Sequence, residues 1–194
     1  MDELRAGLWR WTTVHPAWEP AEAETPGDWP REVGAVAYAA PGALALVDPL
    51  VSEGAWEPVD RLVEAHGRPV HVLVTIVFHE RSREAAIERY GASETVPEGV
   101  EAIPFERAGE TMFWIPEHGA LVPGDRLLGF GGEGPLRLCP ESWLGYLRNG
   151  LTGDELRVML RERLLDLPVE LVLVSHGEPV REGAREALAD ALEG

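Results

Sequence analysis

Residues 70–82, with the sequence VHVLVTIVFHERS, constrain the fold of this chain more than any other stretch. They begin with a short apolar run rich in β-branched residues, which is typical of a strand buried on both faces. The run ends in the tetrapeptide FHER at 78–81, and a helix is predicted over 83–90 with Ser82 as its N-cap. Polar side chains between a buried strand and a helix are typical of functional sites in α/β folds.

The rest of the sequence also mixes strands with helices. Apolar runs separated by Pro-Gly and Pro-Glu-His turns predict two β-hairpins. Strands are predicted at 7–13, 33–39, 43–48, 70–74, 97–104, 110–115, 119–122 and 169–174, and helices at 57–66, 83–90, 140–165 and 181–192. Loops are predicted at 19–31 and 127–139. No repeat or linker interrupts the pattern, which indicates an α/β (α+β) fold in a single domain over 1–194.

The formal net charge of −17 excludes nucleic acid and anionic membranes as expected partners. No run of about 18 apolar residues and no basic-then-apolar leader is present. The single cysteine, Cys139, has no partner for an internal disulfide. These features favour a cytoplasmic protein whose partner is a small molecule; a homodimer is a further possibility that the tryptophans leave open.

Histidines and carboxylates follow several of the predicted strands. Asp48, Asp125 and His176 each lie at a strand end, as do His79 and Glu80. Such side chains, gathered from separate strands, are what a zinc or iron site uses. The spacing contains no compact ligand pattern, so charged surface loops that pair with one another are an alternative.

The order of these pieces resembles the metallo-β-lactamase superfamily over nearly the whole chain. Asp48-Pro49, Gly124-Asp125 and Ser175-His176-Gly177 stand where that family has Asp-Pro, Gly-Asp and a Gly-His-Gly-like turn. The resemblance implies a four-layer αββα sandwich. It also implies a hydrolytic metal site along the edge where the strand ends meet.

The sequence departs from the family's Thr-His-x-His-x-Asp-His motif. Aligning Thr75 with the motif's threonine puts Ile76 and Phe78 at the first two histidines, and residues 80–81 at the final Asp-His. Glu110 replaces the histidine of the family's Gly-His-Thr. The resemblance therefore implies that the first metal position is lost, because two of its three ligands are now apolar.

The second metal position would retain Glu80, Asp125 and His176, with Arg81 in place of the fourth ligand. Arginine stays protonated and has no lone pair for a metal. The preferred interpretation is that Arg81 lies between Glu80 and Asp125 and replaces the cation. The protein would then be metal-free and would bind a small molecule, with Glu80, Arg81, Asp125 and His176 as its functional residues.

The alternative is a remodelled site for one zinc or iron ion. His79 would turn inward and join Glu80, Glu110, Asp125 and His176 as ligands, giving a mononuclear hydrolase of esters, thioesters or lactones. In either case Asp48, Phe78, His15 and Trp143 are expected to line the pocket. The substrate remains unassigned, because one fold hosts many chemistries.

Overall fold

The computed structural model describes residues 1–19, 29–132 and 134–193, so most of the loop predicted at 19–31 lies outside the described residues. The strands are β1 (Asp2–Arg5), β2 (Leu8–Val14), β3 (Glu32–Tyr38), β4 (Leu44–Val47), β5 (Val70–Leu73), β6 (Glu101–Phe105), β7 (Glu110–Ile115), β8 (Ala120–Val122), β9 (Leu127–Leu128), β10 (Arg137–Leu138) and β11 (Leu171–Val172). The α-helices are α1 (Glu57–His66), α2 (Arg83–Tyr90), α3 (Gly153–Leu164) and α4 (Ala184–Glu193).

Two larger sheets and one short strand pair form the β structure of the described residues. The first sheet has the order β1-β2-β3-β4-β5, and its only parallel pair is β4 with β5. The second has the order β11-β8-β7-β6, and its parallel pair is β11 with β8. Strands β9 and β10 pair separately.

The two large sheets pack face to face. Strand side chains point alternately to opposite faces of a sheet. On β4, Ala45 and Val47 therefore face the second sheet, where Phe113 and Ile115 of β7 belong to the same buried cluster. This shared apolar layer forms the centre of the sandwich.

Helices cover the outer faces of both sheets. Leu44 and Leu46 of β4 share a buried cluster with Val59 and Leu62 of α1. On the second sheet, alternate residues of β6, β7 and β8 pack with the apolar faces of α3 and α4; this cluster includes Met112, Trp114, Leu156, Leu160 and Leu188. The layers are therefore helix, sheet, sheet and helix, as the resemblance implied.

Most predicted elements are confirmed, and one helix is wrong. Both hairpins form, and α1 and α2 end at Gly67 and Gly91, which adopt the left-handed conformation that stops a helix. The helix predicted over 140–165 is instead a 3₁₀ segment, Glu141–Leu147, followed by α3. The helical conformation is interrupted between them at Gly150, which has positive φ. Helix α3 then starts after a capping box formed by Thr152.

Two shorter differences also follow from local structure. Strand β1 was not predicted and pairs with β2 through a bulge. The last strand is only two residues long. None of the described helices is long and apolar enough to cross a membrane.

Candidate functional site

Four polar side chains come together at one edge of the sandwich. Asp48 follows β4, His79 lies in the 3₁₀ turn after β5, Asp125 follows β8, and His176 follows β11. The members of each parallel pair, β4 with β5 and β8 with β11, end on the same side of their sheet. Polar residues that follow such strands are therefore held close together.

Asp48 fixes the orientation of His79. Its Oδ2 lies 2.8 Å from His79 Nδ1, and its carboxylate accepts hydrogen bonds from the backbone N–H (2.8 Å) and hydroxyl (2.6 Å) of Thr75. An Nδ1–H that donates to Asp48 leaves the lone pair of the neutral ring on Nε2. Thr75 holds Asp48 in place, a role that the sequence did not reveal.

His79 and His176 both approach the same oxygen of Asp125. The Oδ1 atom lies 3.0 Å from His79 Nε2 and 3.1 Å from His176 Nε2. Neither ring N–H is aligned with the oxygen, so Asp125 Oδ1 is buried without a hydrogen-bond partner among the described residues. Three nitrogen and oxygen donors thus converge, and donor atoms from these residues lie within 4.8 Å of one another.

The protonation states follow from burial and neighbouring charge. Burial alone would lower the pKa of His79, but the charges of Asp48 and Asp125 raise it to about 9. Burial would raise the pKa of Asp125, but the two histidines hold it below its usual range. Burial lowers the pKa of His176, against the opposing charge of Asp125. Without a metal, His79 is therefore the imidazolium and His176 the neutral ring.

The structure brings His79, and not Glu80, into the site. A 3₁₀ turn has about three residues per turn, so neighbouring side chains in Val77–His79 point in different directions. His79 points inward and is 3% exposed, whereas the neighbouring Glu80 is exposed on the surface. The predicted placement of Glu80 beside Asp125 is therefore wrong.

Arg81 connects strand ends and does not lie between Glu80 and Asp125 as predicted. Its Nη1 donates to the carbonyls of Gly34 (3.0 Å) and Asp48 (3.2 Å), and its Nη2 donates to Ser175 Oγ (2.7 Å). Its φ of 38° turns the side chain back toward these acceptors. Burial lowers the pKa of Arg81, while the charges of Asp48 and Asp125 oppose that shift.

Glu110 binds the backbone of the turn that carries Asp125, and not the space where a metal ligand was predicted. Its carboxylate accepts hydrogen bonds from the backbone N–H groups of Gly124 (3.0 Å), Asp125 (2.7 Å) and Arg126 (3.0 Å). Burial raises its pKa to about 7, although Arg126 opposes this. Both oxygens are therefore occupied in shaping the turn.

A cavity of about 430 Å³ opens onto the three converging donors. His15, Phe78 and Trp143 line it, as predicted, whereas Asp48 lies behind His79 and reaches the cavity only through that ring. The sequence did not single out four further lining residues, which are Trp29, Arg126, Ser142 and Tyr146. Tyr146 was predicted to lie in an α-helix and lies instead in the 3₁₀ segment Glu141–Leu147, and no feature of the sequence indicated that Arg126 would be buried beside the site.

The donor set fits a single divalent metal ion. His79 Nε2, Asp125 Oδ1 and a His176 nitrogen are ligand types that zinc accepts, and three protein ligands with an open position are typical of catalytic zinc. The unpartnered Asp125 oxygen and the Asp48–His79 hydrogen bond support this fit. Glu80 and Glu110 do not belong to the set.

By sequence, the chain matches no family model and no curated protein. Its fold matches solved structures. The DIM-1 metallo-β-lactamase is 12% identical, with 99% of this chain and 95% of that chain covered and a TM-score of 0.60. A metallo-β-lactamase from Erythrobacter litoralis is 15% identical, with the same coverage and a TM-score of 0.60.

A metallo-β-lactamase family protein from Thermus thermophilus is 16% identical, with 98% of this chain and 80% of that chain covered and a TM-score of 0.51. At such low identity these similarities bear on architecture and not on activity. Together with the layer order and the site at the edge of the sandwich, they show that this chain has the metallo-β-lactamase fold.

Proposed function

We propose that the protein is a hydrolase that works with one zinc or iron ion held by His79, Asp125 and His176. The observation that carries this proposal is the convergence of three buried donors on a point where Asp125 Oδ1 lacks a hydrogen-bond partner among the described residues. A metal in such a set supplies Lewis acidity, which activates water and polarises a carbonyl. One structural neighbour from Erythrobacter litoralis is described in its mono-zinc form, which supports a one-metal arrangement in this fold.

The chain's own residues would prepare this chemistry. Asp48 holds the His79 ring with Nε2 facing Asp125, and burial keeps His176 neutral and able to ligate. Glu110 fixes the turn of Asp125 through three backbone hydrogen bonds. The cavity would admit the substrate beside these donors, and four aromatic side chains line it. Esters, thioesters and lactones are the substrates proposed.

Elemental analysis of protein purified without a metal-binding tag tests the proposal. We expect about one equivalent of zinc or iron, as three ligands with an open position imply. His79→Gln should lose the metal, whereas Glu80→Gln should keep it, because Glu80 is exposed outside the cluster. Hydrolysis of an ester, thioester and lactone panel should follow metal content across these variants.

A metal-free protein that binds a small molecule is the second candidate. It is favoured by one observation: His79 has a carboxylate within 3.0 Å of each ring nitrogen, so a protonated His79 could itself be the cation of the site. Absence of metal after incubation with zinc, manganese and iron(II) would replace the hydrolase with this candidate. About one equivalent of bound metal would eliminate it.

A further inference from the structure

The cavity presents aromatic rings around the candidate metal site. Trp29 and Trp143 meet His176 edge to face, with ring centroids 5.2 Å and 5.7 Å away. Phe78 and Tyr146 form a second edge-to-face pair at 4.8 Å. Rings in such arrangements offer both faces and edges for contact with another aromatic group.

Two of these rings are exposed at the cavity although they are large and apolar. Phe78 is 56% exposed and Tyr146 is 40% exposed. Burying either ring inside the fold would have been favourable, so an exposed aromatic pair beside a cavity is typical of a ligand-binding surface. A planar ring entering the cavity would cover both side chains and remove their apolar surface from water.

The cavity contains two guanidinium groups, but the protein already uses them. Arg126 donates to the carbonyl of Ala108 and to Tyr146 Oη, and its Nη1 lies against Cys139 Sγ. Arg81 donates from both terminal nitrogens to acceptors at the strand ends, and its Nε is buried. Neither guanidinium therefore presents two free N–H groups for a bidentate hydrogen bond with a ligand carboxylate.

The remaining charges also disfavour an anionic ligand. In the metal-free protein, the cations His79, Arg81 and Arg126 at the cavity are balanced by the neighbouring carboxylates of Asp48, Asp125 and Glu110, so among the described residues no uncompensated positive charge is left for an anion. The chain as a whole carries a formal charge of −17. Such a field lowers the local concentration of anions. An anion would lose its hydration on entering the cavity and would find no free cation to compensate the loss. An uncharged ring does not have this cost.

We infer that the substrates are uncharged esters that carry an aromatic ring, an assignment that rests on the proposed hydrolase function. The ring lies among Trp29, Phe78, Trp143 and Tyr146, and the ester carbonyl faces His79, Asp125 and His176. Hydrolysis breaks the bond between the acyl carbon and the ester oxygen. Water supplies a hydroxyl group to the acyl carbon and a proton to the departing oxygen, giving a carboxylic acid and an alcohol or phenol.

Calorimetric titration with ring-bearing ligands that contain no ester tests the recognition step without hydrolysis. The probes are 2-naphthamide, the anion 2-naphthoate, and cyclohexanecarboxamide, which has a saturated ring. Each is titrated into the protein as purified and after removal of metal by chelator. In the chelated protein, 2-naphthamide should bind about tenfold more tightly than either of the other two. Equal or tighter binding of 2-naphthoate or cyclohexanecarboxamide would overturn the inference.

Phe78→Ala and Val77→Ala form a matched pair of variants. The two residues share one 3₁₀ turn and are 56% and 59% exposed, so neither change removes core packing, but only Phe78 lines the cavity. Phe78→Ala should weaken 2-naphthamide binding about tenfold, and Val77→Ala should change it less than about twofold. Unchanged binding in Phe78→Ala would exclude the aromatic site.

These titrations separate the two proposals. Binding is measured without metal, so it does not depend on hydrolysis. If the protein prefers 2-naphthamide but holds no metal and hydrolyses no ester, the aromatic binding site is supported and the hydrolase function is refuted. If the protein holds metal and hydrolyses esters but shows no preference for 2-naphthamide, the hydrolase function is supported and the aromatic substrate class is refuted.

Discussion

Replacing Asp48 with Asn should weaken metal binding without disturbing the backbone. Asp48 has a φ of 48°, and asparagine tolerates this left-handed conformation as well as aspartate does. The amide oxygen can still accept from the backbone N–H of Thr75, and the Thr75 hydroxyl can turn to accept from the new amide. The contact with His79 Nδ1, now 2.8 Å from a carboxylate oxygen, changes most.

The magnitude follows from the tautomer of His79. An amide N–H facing Nδ1 favours the tautomer that carries its proton on Nε2, which is the nitrogen directed at Asp125. In both proteins a proton must leave Nε2 before the metal binds, but only Asp48 then accepts a hydrogen bond from the Nδ1–H of the ligating ring. Loss of such a supporting carboxylate costs about 10- to 100-fold in metal affinity, or about 1.4 to 2.8 kcal/mol.

Zinc affinity is measured by competition with a chromogenic chelator at pH 7, with Glu80→Gln as the control carboxylate-to-amide change. At pH 7, two-dimensional ¹H–¹⁵N NMR of the metal-free proteins should show His79 protonated on both ring nitrogens in the unmodified protein and on Nε2 alone in Asp48→Asn. Urea unfolding in chelator separates a stability effect from a metal effect. An affinity within about twofold of the unmodified protein would refute the role assigned to Asp48.

Three further outcomes are expected. In metal-free protein, the stability that protonated His79 contributes should be complete below about pH 6.5 and be lost as the pH rises through about 9, because its folded pKa exceeds its unfolded value. Unfolding curves compared with those of His79→Gln should show a pH-dependent contribution on the order of 3 kcal/mol between these two limits. Arg81→Ala should lower the free energy of unfolding by about 3 kcal/mol in urea titrations, since two backbone carbonyls and Ser175 Oγ lose their donor; an unchanged midpoint would contradict this role. Glu110→Gln should lower the free energy of unfolding by about 2 to 3 kcal/mol in the same assay, because its new N–H group faces backbone donors of the Asp125 turn. It should also reduce zinc affinity; unchanged zinc affinity would show that the shape of this turn does not control metal binding.

The fold could be predicted because its signals are local. The Pro-Gly turn between β3 and β4 and the apolar alternation along β7 each reflect a few neighbouring residues. The prediction of one helix over 140–165 was wrong because local signals alone were available for it. The composition of this segment favours a helix, and the positive φ of Arg148 and Gly150 that interrupts it depends on how the chain packs.

The site could be predicted only in outline. Asp125 and His176 lie at strand ends, and the parallel pairing of those strands determines where they meet. Whether His79 or Glu80 turns inward depends on the few backbone angles of a three-residue turn, which motif alignment did not resolve. The bonds of Arg81 depend on its left-handed φ, a conformation that a non-glycine sequence rarely signals.

The carboxylate of Glu110 has a consequence for how this chain can evolve. A histidine at that position would strip three backbone N–H groups of their acceptor before it gained any co-ligand, because Ile76 and Phe78 cannot bind a metal. A metal position built from residues 76, 78 and 110 would need Ile76, Phe78 and Glu110 all to be replaced, and none of these changes gains a co-ligand when it arises alone. Single substitutions that are each favourable therefore offer no route from this sequence to such a position.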